Sequence, residues 1–193
     1  SRVLVFDCTT IINGENAVRV LGQADFVTDS NALNANTLGS PGGLALNTSL
    51  NYLYVSDILN NRVLVFDVAT ITNGEAAFRV LGQADFISNS SSVSQSSTFT
   101  PTALALDQLN NRLFVSQPDA NRVTVFDVAI ITNGEAAVSV LGQPNFTISS
   151  SATSAIKLNS PRSIAYDSGN QYLYVGSSGR TLVYSVASIR DGD

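Results

Sequence analysis

The chain has 193 residues, a net charge of −5 and only 13% charged side chains, and it contains no His. Because nucleic acids and anionic membranes are bound mainly through clustered Lys and Arg, this charge argues against both as partners. Without His the chain lacks the commonest zinc ligand and general base, so we expect no cofactor, no metal and no enzymatic activity.

The predicted elements are all strands. Short runs rich in β-branched and aromatic residues alternate with Gly, Asn, Asp and Ser, which is the pattern of strands joined by turns. No run reaches the ~18 apolar residues of a membrane-spanning helix. In chain order the predicted strands lie at 2–6, 18–21, 43–46, 52–55, 63–66, 78–81, 103–106, 113–115, 123–126, 138–141, 163–166, 172–175 and 180–184.

This strand pattern repeats every 60 residues. Arg2–Asp7 returns unchanged as Arg62–Asp67 and, with one substitution, as Arg122–Asp127. Between 61–86 and 121–146, 20 of 26 positions are identical. A fixed period of this length is typical of repeat proteins, whose units bury their apolar faces against neighbouring units.

Four antiparallel strands per unit predict an all-β fold of β-propeller blades, with at least three blades in the chain. We place a partial blade at 1–26, full blades at 41–86 and 101–146, and a partial blade at 161–193. Connections between blades share one rim of a propeller. The loops at 27–40, 87–100 and 147–160 should therefore lie together, either as neutral spacers or as a binding or assembly surface.

The order of motifs within a unit points to a family. A Pro-led strand at Ser40-Pro41 is followed by an aromatic strand ending in Asp57, and then by Asn61-Arg62-Val63. This order resembles the NHL repeat family of β-propellers, in particular its long-unit bacterial surface or secreted members. The resemblance implies an extracellular or cell-surface protein but leaves function open, because NHL propellers serve as RNA binders, lyases, receptor ectodomains and scaffolds.

Several polar and glycine positions recur in each unit. Recurrence indicates a structural role, because a catalytic site needs a residue only once. The Asp residues follow a strand, where a carboxylate can accept backbone N–H bonds, and the Arg residues are expected to bind carbonyl groups. Each Gly within Leu-Gly-Gln predicts a bulge or a close backbone approach. The recurring residues are Asp7, Asp67 and Asp127; Glu15, Glu75 and Glu135; Arg2, Arg62, Arg122 and Arg180; and Gly22, Gly82 and Gly142.

Two alternative functions remain open. Lactonases related to the NHL propellers bind a divalent metal through carboxylates and an Asn, for which Asn47, Asp107 and Asp167 at the ends of the innermost strands are the nearest counterparts. Their equivalent positions in successive units favour turn residues instead. The second alternative is a ligand- or protein-binding module excised from a longer surface protein, with surface proteins or glycans as partners. Asn47, Asn89 and Asn145 begin sequences of the N-glycosylation form.

The single cysteine, Cys8, aligns with Val68 and Val128 in the following units. We therefore expect it to fill an apolar position rather than act as a nucleophile. The same alignment of strands predicts the core, which should include Val5, Leu46, Val55, Val65, Leu81, Leu106, Val115, Val125, Leu141 and Val175.

The predicted strands exceed three complete blades by one, because a third strand occurs at both ends of the chain. Three blades are too few for a closed ring, so the terminal units should expose apolar faces and strand edges that invite pairing. We expect Ser163–Val175 of one copy to be completed by Arg2–Leu21 of the next, giving a ring or a filament. The alternative cause is that the sequence is part of a longer propeller. The residues expected at this contact are Arg2, Val3, Leu4, Val5, Phe6, Tyr172, Tyr174, Leu182 and Tyr184.

Overall fold

The computed structural model describes residues 1–189, and residues 190–193 of the last predicted unit lie outside the described part. The regular elements of the described part are strands, apart from one 3-10 turn at Pro118–Ala120. The strands are β1 Val3–Val5, β2 Arg19–Leu21, β3 Pro41–Asn47, β4 Tyr52–Asp57, β5 Arg62–Asp67, β6 Arg79–Leu81, β7 Leu104–Asp107, β8 Arg112–Gln117, β9 Arg122–Asp127, β10 Ser139–Leu141, β11 Ser163–Asp167, β12 Tyr172–Ser177 and β13 Arg180–Ser185.

These strands form four antiparallel sheets. The first sheet holds β1 and β2, the second β3 to β6, the third β7 to β10, and the fourth β11 to β13. Strands follow chain order within every sheet, so neighbouring strands are successive in the chain. The all-β fold with four-stranded antiparallel sheets predicted from the sequence is confirmed. Over residues 1–189 there is no helix with the length and hydropathy needed to cross a membrane.

Asparagines at the ends of turns tie one sheet to the next. Asn61 and Asn121 precede β5 and β9 with φ values of 50° and 51°, which Asn tolerates better than most residues. The Asn61 Oδ1 accepts a hydrogen bond from the backbone N of Thr100 at 2.9 Å, and that of Asn121 accepts one from Ser160 at 2.8 Å. Each turn therefore fixes the start of the following sheet.

The recurring Gly after each outermost strand is required by a close approach, as the sequence predicted. Gly142 has φ +83°, and a Cβ added there would lie 2.5 Å from Cδ1 of Leu158. Gly22 and Gly82 meet the loop that follows them in the same way. A side chain at these positions would push away the loop that leads into the next sheet.

Successive sheets stack face to face. The first strands are neighbours, since β7 contacts both β3 and β11. Alternate side chains of a strand point to opposite sides of its sheet. On β5, Leu64 and Phe66 face the first sheet, whereas Val63 and Val65 face the third. An apolar cluster fills each of the three interfaces between neighbouring sheets.

Most of the predicted core is buried, with three exceptions. Leu106 is partly buried between the second and third sheets, and Val5 is partly buried in the first. The prediction for Leu46 was wrong, because its side chain is 50% exposed on the part of the second sheet that β1 and β2 do not cover. Cys8 is also exposed, whereas the equivalent Val128 is 1% exposed against the preceding sheet. Cys8 faces the side on which the described chain has no preceding sheet.

Candidate functional site: the two open sheet faces

The stack of sheets ends in two faces that no other described sheet covers. We call the leading face the outward side of the first sheet together with the uncovered part of the second. We call the trailing face the outward side of the fourth sheet. The leading face carries Leu4, Phe6, Phe26, Leu44 and Leu46, which are between 42% and 50% exposed. The trailing face carries Ala165, Tyr172, Tyr174 and Val183. Contiguous apolar faces of this kind mark interaction sites.

The repeat shows what these side chains contact when a neighbouring sheet is present. Leu64 and Phe66 are equivalent to Leu4 and Phe6, and they are fully buried against the first sheet. Tyr54 is equivalent to Tyr174 and is fully buried against the third sheet. The two open faces therefore repeat the two sides that form the internal interfaces.

A depression of about 640 Å³ lies on the first sheet within the leading face. Leu4, Phe6 and Phe26 form its apolar part, and Arg2 and Glu15 lie at its lining as well. The equivalent space, over Leu64 and Phe66 of β5, is filled by Val3 and Leu21 of the first sheet and by Leu38 of the loop that follows it. The depression is therefore lined like one side of an interface between two sheets, without a second sheet packed against it.

The two terminal sheets are incomplete in opposite ways. β1 and β2 correspond to the outer strands β5 and β6, whereas β11 to β13 correspond to the inner strands β3 to β5. The first sheet therefore leaves Leu44 on β3 49% exposed, while the equivalent Leu104 is only 8% exposed beneath the second sheet. The fourth sheet leaves the outer edge of β13 without a described partner strand.

Recurring arginines fasten the loops between sheets. The fully buried Arg62 donates from Nη1 to the carbonyl of Phe86 at 2.7 Å, and from Nη2 to those of Asn34 at 3.0 Å and Thr37 at 2.8 Å. Arg122 repeats this arrangement in the next unit. The predicted binding of carbonyls is confirmed, but the carbonyls belong to the loops between sheets. These loops are therefore anchored parts of the fold.

Within residues 1–189, the terminal arginines Arg2 and Arg180 make fewer hydrogen bonds than Arg62 and Arg122. Arg180 donates from Nη2 to the carbonyls of Ser154 at 2.7 Å and Lys157 at 2.9 Å. Arg2 donates from Nη1 to the carbonyl of Phe26. In the central units, the carbonyls that bind Nη2 come from the loop of the preceding unit. No such loop precedes Arg2 in the described chain, so Arg2 does not have the carbonyl partners that Nη2 of Arg62 and Arg122 binds.

Burial changes the acidity of the central arginines. Burial lowers the pKa of Arg62, and the neighbouring Asp57 carboxylate opposes this shift. Burial lowers the pKa of Arg122 to about 10. The third sheet has Gln117 in the place of Asp57, and its Oε1 accepts a hydrogen bond from Nε of Arg122 at 3.0 Å. A neutral amide satisfies the geometry of the guanidinium but not its charge.

A loop before each outermost strand binds the outermost strand of the preceding sheet. We call residues 11–15, 71–75 and 131–135 the clasp loops. The Oδ1 of Asn73 accepts a hydrogen bond from the backbone N of Val20 at 3.1 Å, and Asn133 binds Val80 at the same distance. The recurring Ile-Thr-Asn-Gly-Glu motif was the sequence signal for this contact, although sequence reasoning did not identify it.

The first clasp loop has no strand to bind in the described chain. Its Ile11 is 79% exposed, whereas the equivalent Ile131 is 7% exposed in the interface between the second and third sheets. Asn13 stands where Asn73 and Asn133 accept their backbone hydrogen bonds. This loop extends the leading face and adds a polar group to it.

The recurring acidic residues belong to turns, as the sequence predicted. The Oδ1 of Asp7 accepts a hydrogen bond from the backbone N of Thr9 at 2.9 Å, and Asp67 and Asp127 bind their own turns at 3.0 and 2.9 Å. The bond to Thr9 lowers the pKa of Asp7. Glu75 and Glu135 accept hydrogen bonds from the backbone within their clasp loops.

Each of the three candidate metal ligands accepts hydrogen bonds within its own turn. Asn47 accepts hydrogen bonds from Ser49 and Leu50, and Asp167 accepts them from Gly169 and Asn170. Asp107 pairs with Arg112 and accepts a hydrogen bond from Asn110 Nδ2 at 2.8 Å. Burial raises the pKa of Asp107, but hydrogen bonds from Asn110, Arg112 and Tyr166 outweigh it and keep the pKa below its usual range. Among residues 1–189, no group of three or more acidic or cysteine side chains is placed to hold a metal ion.

The residues predicted at a self-association contact fall into two groups. Leu4, Phe6, Tyr172 and Tyr174 lie on the open faces. The others lie inside the stack or at its rim, because neighbouring residues of a strand point to opposite sides. Val3 is 9% exposed and packs against the second sheet, and Val5 is partly buried. Tyr184 is 7% exposed, and Leu182 packs beside it against the third sheet. Arg2 is also partly buried. Sequence reasoning missed Val183, Leu44 and Leu46, which strand alternation would have assigned to the open faces.

Comparisons with known proteins support the architecture. No protein-family model and no curated protein matches the chain. It is similar to a chain of the nidogen/laminin complex, with 18% identity and a TM-score of 0.52 over 78% of this chain and 46% of that one. It is also similar to U3-55K and to the RRP9 WD40 repeats, each with 12% identity and a TM-score of 0.53, over 81% of this chain and 39% and 38% of theirs.

These similarities show the fold, which is that of β-propeller proteins. The chain spans less than half the length of each of these three structures.

Proposed function

We propose that this chain is a non-enzymatic structural protein of the cell surface or extracellular space, which assembles head to tail with copies of itself. The contact joins the trailing face of one copy to the leading face of the next. The observation that supports it is the repetition of internal interface residues on both open faces. Phe6 stands where Phe66 is buried, and Tyr174 stands where Tyr54 is buried. A second copy thus offers a complementary partner without any new kind of contact.

The broader part of the proposal is a propeller module that binds protein. One similar structure is a chain of the nidogen/laminin complex, in which it was solved together with a protein partner. We further propose that the repeats are of the NHL type. The Pro41-led strand, the strand ending in Asp57 and the Asn61-Arg62-Val63 turn support this assignment.

The absence of enzymatic activity is part of the proposal. It is supported by the engagement of the acidic side chains, since Asp7, Asp67 and Asp127 bind the backbone of their own turns. Asp107 is paired with Arg112. An extracellular location rests on the resemblance of the long units to secreted or surface proteins.

The test is the mass of the particle in solution, measured by sedimentation equilibrium over a range of protein concentrations. The wild-type chain should form dimers or larger particles. Phe6→Asp and Tyr174→Asp each place a charge on one open face and should each give a single chain, because burying an unpaired carboxylate is costly. Leu109→Asp is the matched control, since Leu109 is 81% exposed on a turn away from both faces.

Mixing the two face variants distinguishes a head-to-tail contact from other forms of association. Phe6→Asp retains an intact trailing face, and Tyr174→Asp retains an intact leading face. An equimolar mixture should therefore form a dimer with one chain of each kind and nothing larger. A wild-type chain that stays single at every concentration, or a mixture that stays single, would overturn self-assembly.

A further inference from the structure

We infer that two Asn-Gly pairs, Asn73-Gly74 and Asn133-Gly134, are sites of covalent modification that record the opening of a clasp loop. While the loop is bound to the preceding sheet, its Asn is protected. Once the loop detaches, the Asn converts to isoaspartate and the loop no longer rebinds. This modification lies beyond the proposed function and does not depend on self-assembly, because both loops bind sheets within one chain.

The fold requires a Gly after the Asn of both loops. Gly74 and Gly134 have φ values of +73° and +75°, which residues with a side chain seldom adopt. A Cβ added at Gly74 would lie 3.1 Å from Cα of Ala24, and one at Gly134 would lie 3.3 Å from Cα of Ala84. Because Gly has no side chain to hinder its backbone N, Asn-Gly is the Asn sequence that cyclises most readily.

The reaction needs only the two residues and water. The backbone N of Gly74 attacks Cγ of Asn73 and displaces Nδ2, which leaves as ammonia with the proton of that backbone N. The product is a cyclic succinimide. Water opens the ring at Cγ, which restores the normal backbone as aspartate, or at the backbone carbonyl carbon, which leaves the chain running through the side chain as isoaspartate. Asn73 and Asn133 are both exposed, so water reaches them.

A bound clasp loop keeps the reacting groups apart. The backbone N of Val20 donates to Oδ1 of Asn73 at 3.1 Å, and the carbonyl of Val20 accepts a hydrogen bond from the backbone N of Gly74 at 3.3 Å. Ring closure has to bring that N onto Cγ of Asn73, so both bonds must break first. Val80 binds Oδ1 of Asn133 in the same way at 3.1 Å. Cyclisation therefore requires local opening of the loop.

Isoaspartate changes the loop in a way that aspartate does not. It lengthens the backbone between Asn73 and Gly74 by one carbon, which moves the N–H of Gly74 away from the carbonyl of Val20. Aspartate keeps the normal backbone and a side-chain oxygen that can accept the bond from Val20. The isoaspartate loop therefore leaves the edge of β2 without its partner, and an open strand edge is prone to pairing and to proteolysis.

An arginine next to each bound Val holds the clasp loop closed. Nε of Arg19 donates to the carbonyl of Ile71 at 3.0 Å, and Nε of Arg79 donates to the carbonyl of Ile131 at 2.9 Å. Both arginines are exposed, so their removal leaves no buried cavity. The two contacts are equivalent but act on different loops. Each loop therefore serves as the internal control for a change made at the other.

The rate of deamidation, followed by peptide mapping and mass spectrometry at neutral pH, tests the protection. The reference is the same chain in urea, where the local sequences are unchanged and no loop is bound. Conversion of Asn73 and Asn133 should be about tenfold slower or more in the folded chain. Equal rates in the folded and unfolded chains would overturn the inference.

The two arginine variants test whether opening of each loop controls its own Asn. Arg19→Ala should raise the rate at Asn73 about threefold or more and leave Asn133 unchanged, and Arg79→Ala should do the reverse. If either variant raises both rates, the whole chain has become less stable. Asn36→Ser then takes its place, because it removes only the hydrogen bond from Nδ2 to the carbonyl of Gly74 at 2.7 Å. Unchanged rates in all three variants would overturn the inference.

Hydrogen exchange at the amide of Val20 tests whether detachment is permanent. The aged chain that carries isoaspartate at position 73 is separated by chromatography from the aspartate form. Its Val20 amide should exchange about tenfold faster or more than in the fresh chain. Asn73→Asp is the matched control, since it adds the charge without lengthening the backbone, and it should retain slow exchange. Slow exchange in the isoaspartate chain as well would show that the loop rebinds and would overturn the inference.

Discussion

The carboxylate of Asp57 accepts a hydrogen bond from Nε of Arg62 at 3.1 Å, and both side chains are fully shielded from solvent. The same carboxylate accepts hydrogen bonds from the backbone N of Gly39 at 2.9 Å and of Ser40 at 3.0 Å. One pair of residues therefore joins the second sheet to the loop that precedes it.

Replacing Asp57 by Ala should lower the free energy of unfolding by about 3–5 kcal/mol, because it leaves the Arg62 charge buried without a partner. Asp57→Gln should cost less, since the third sheet shows that the amide of Gln117 can accept the same bond. Denaturant unfolding of the two variants measures the difference. Equal losses would mean that the backbone contacts, and not the arginine, decide the cost.

Gly142→Ala should destabilise the fold more than Gly14→Ala. Both glycines have positive φ, at +83° and +78°, so both variants carry a backbone cost of about 1–2 kcal/mol. Only at Gly142 would the added Cβ meet Leu158, whereas nothing lies within 4 Å of the site at Gly14. We expect a further loss of about 1–3 kcal/mol at Gly142 from overpacking. Equal midpoints in urea would refute the close approach.

Acid should weaken the fold through Asp107. Its pKa is held below the usual range in the folded chain, so it contributes stability above the unfolded value of about 3.9 and loses it as the pH falls through the folded value. Asp107→Asn cannot titrate, and its stability should fall less steeply below about pH 4. Unfolding measured from pH 7 to pH 2 compares the slopes, and parallel curves for variant and wild type would contradict the assignment.

Cys8 should report assembly. It is exposed in the single chain and aligns with Val128, which is 1% exposed against the second sheet. Head-to-tail assembly would cover the thiol as the second sheet covers Val128, so its reaction with a maleimide should slow about tenfold or more at protein concentrations that favour assembly. In the Phe6→Asp variant the reaction rate should not depend on protein concentration. A wild-type rate that is constant while the particle mass rises would place Cys8 outside the junction.

Much of the fold could be predicted from the sequence because the repeat displays the same local pattern several times. The strands, the close approach at Gly142 and the carbonyl contacts of Arg62 all follow from local spacing and turn chemistry. These features depend on contacts between residues that are close in sequence or one repeat apart. Both kinds of contact recur in each unit, so the repeated sequence reveals them.

The exposure of Leu46 and Cys8 could not be predicted in the same way. The sequence shows to which side of a strand a residue points, but burial depends on whether another sheet lies on that side. The sequence analysis also placed Leu182 and Tyr184 at a surface contact because they belong to the last strand. Their side chains point inward, however, and pack against the third sheet. The 60-residue repeat predicts the fold of each unit, but it does not identify a binding partner.

The clasp loops have a consequence for the order in which the chain acquires structure during synthesis. The amide of Val20 is bound by Asn73, and that of Val80 by Asn133, in both cases 53 residues further along. A sheet that leaves the ribosome therefore keeps a loosely held outer strand until most of the next unit has emerged. We expect folding to advance along the nascent chain as a front, with each finished unit securing the one before it and the newest unit remaining the most open to proteolysis.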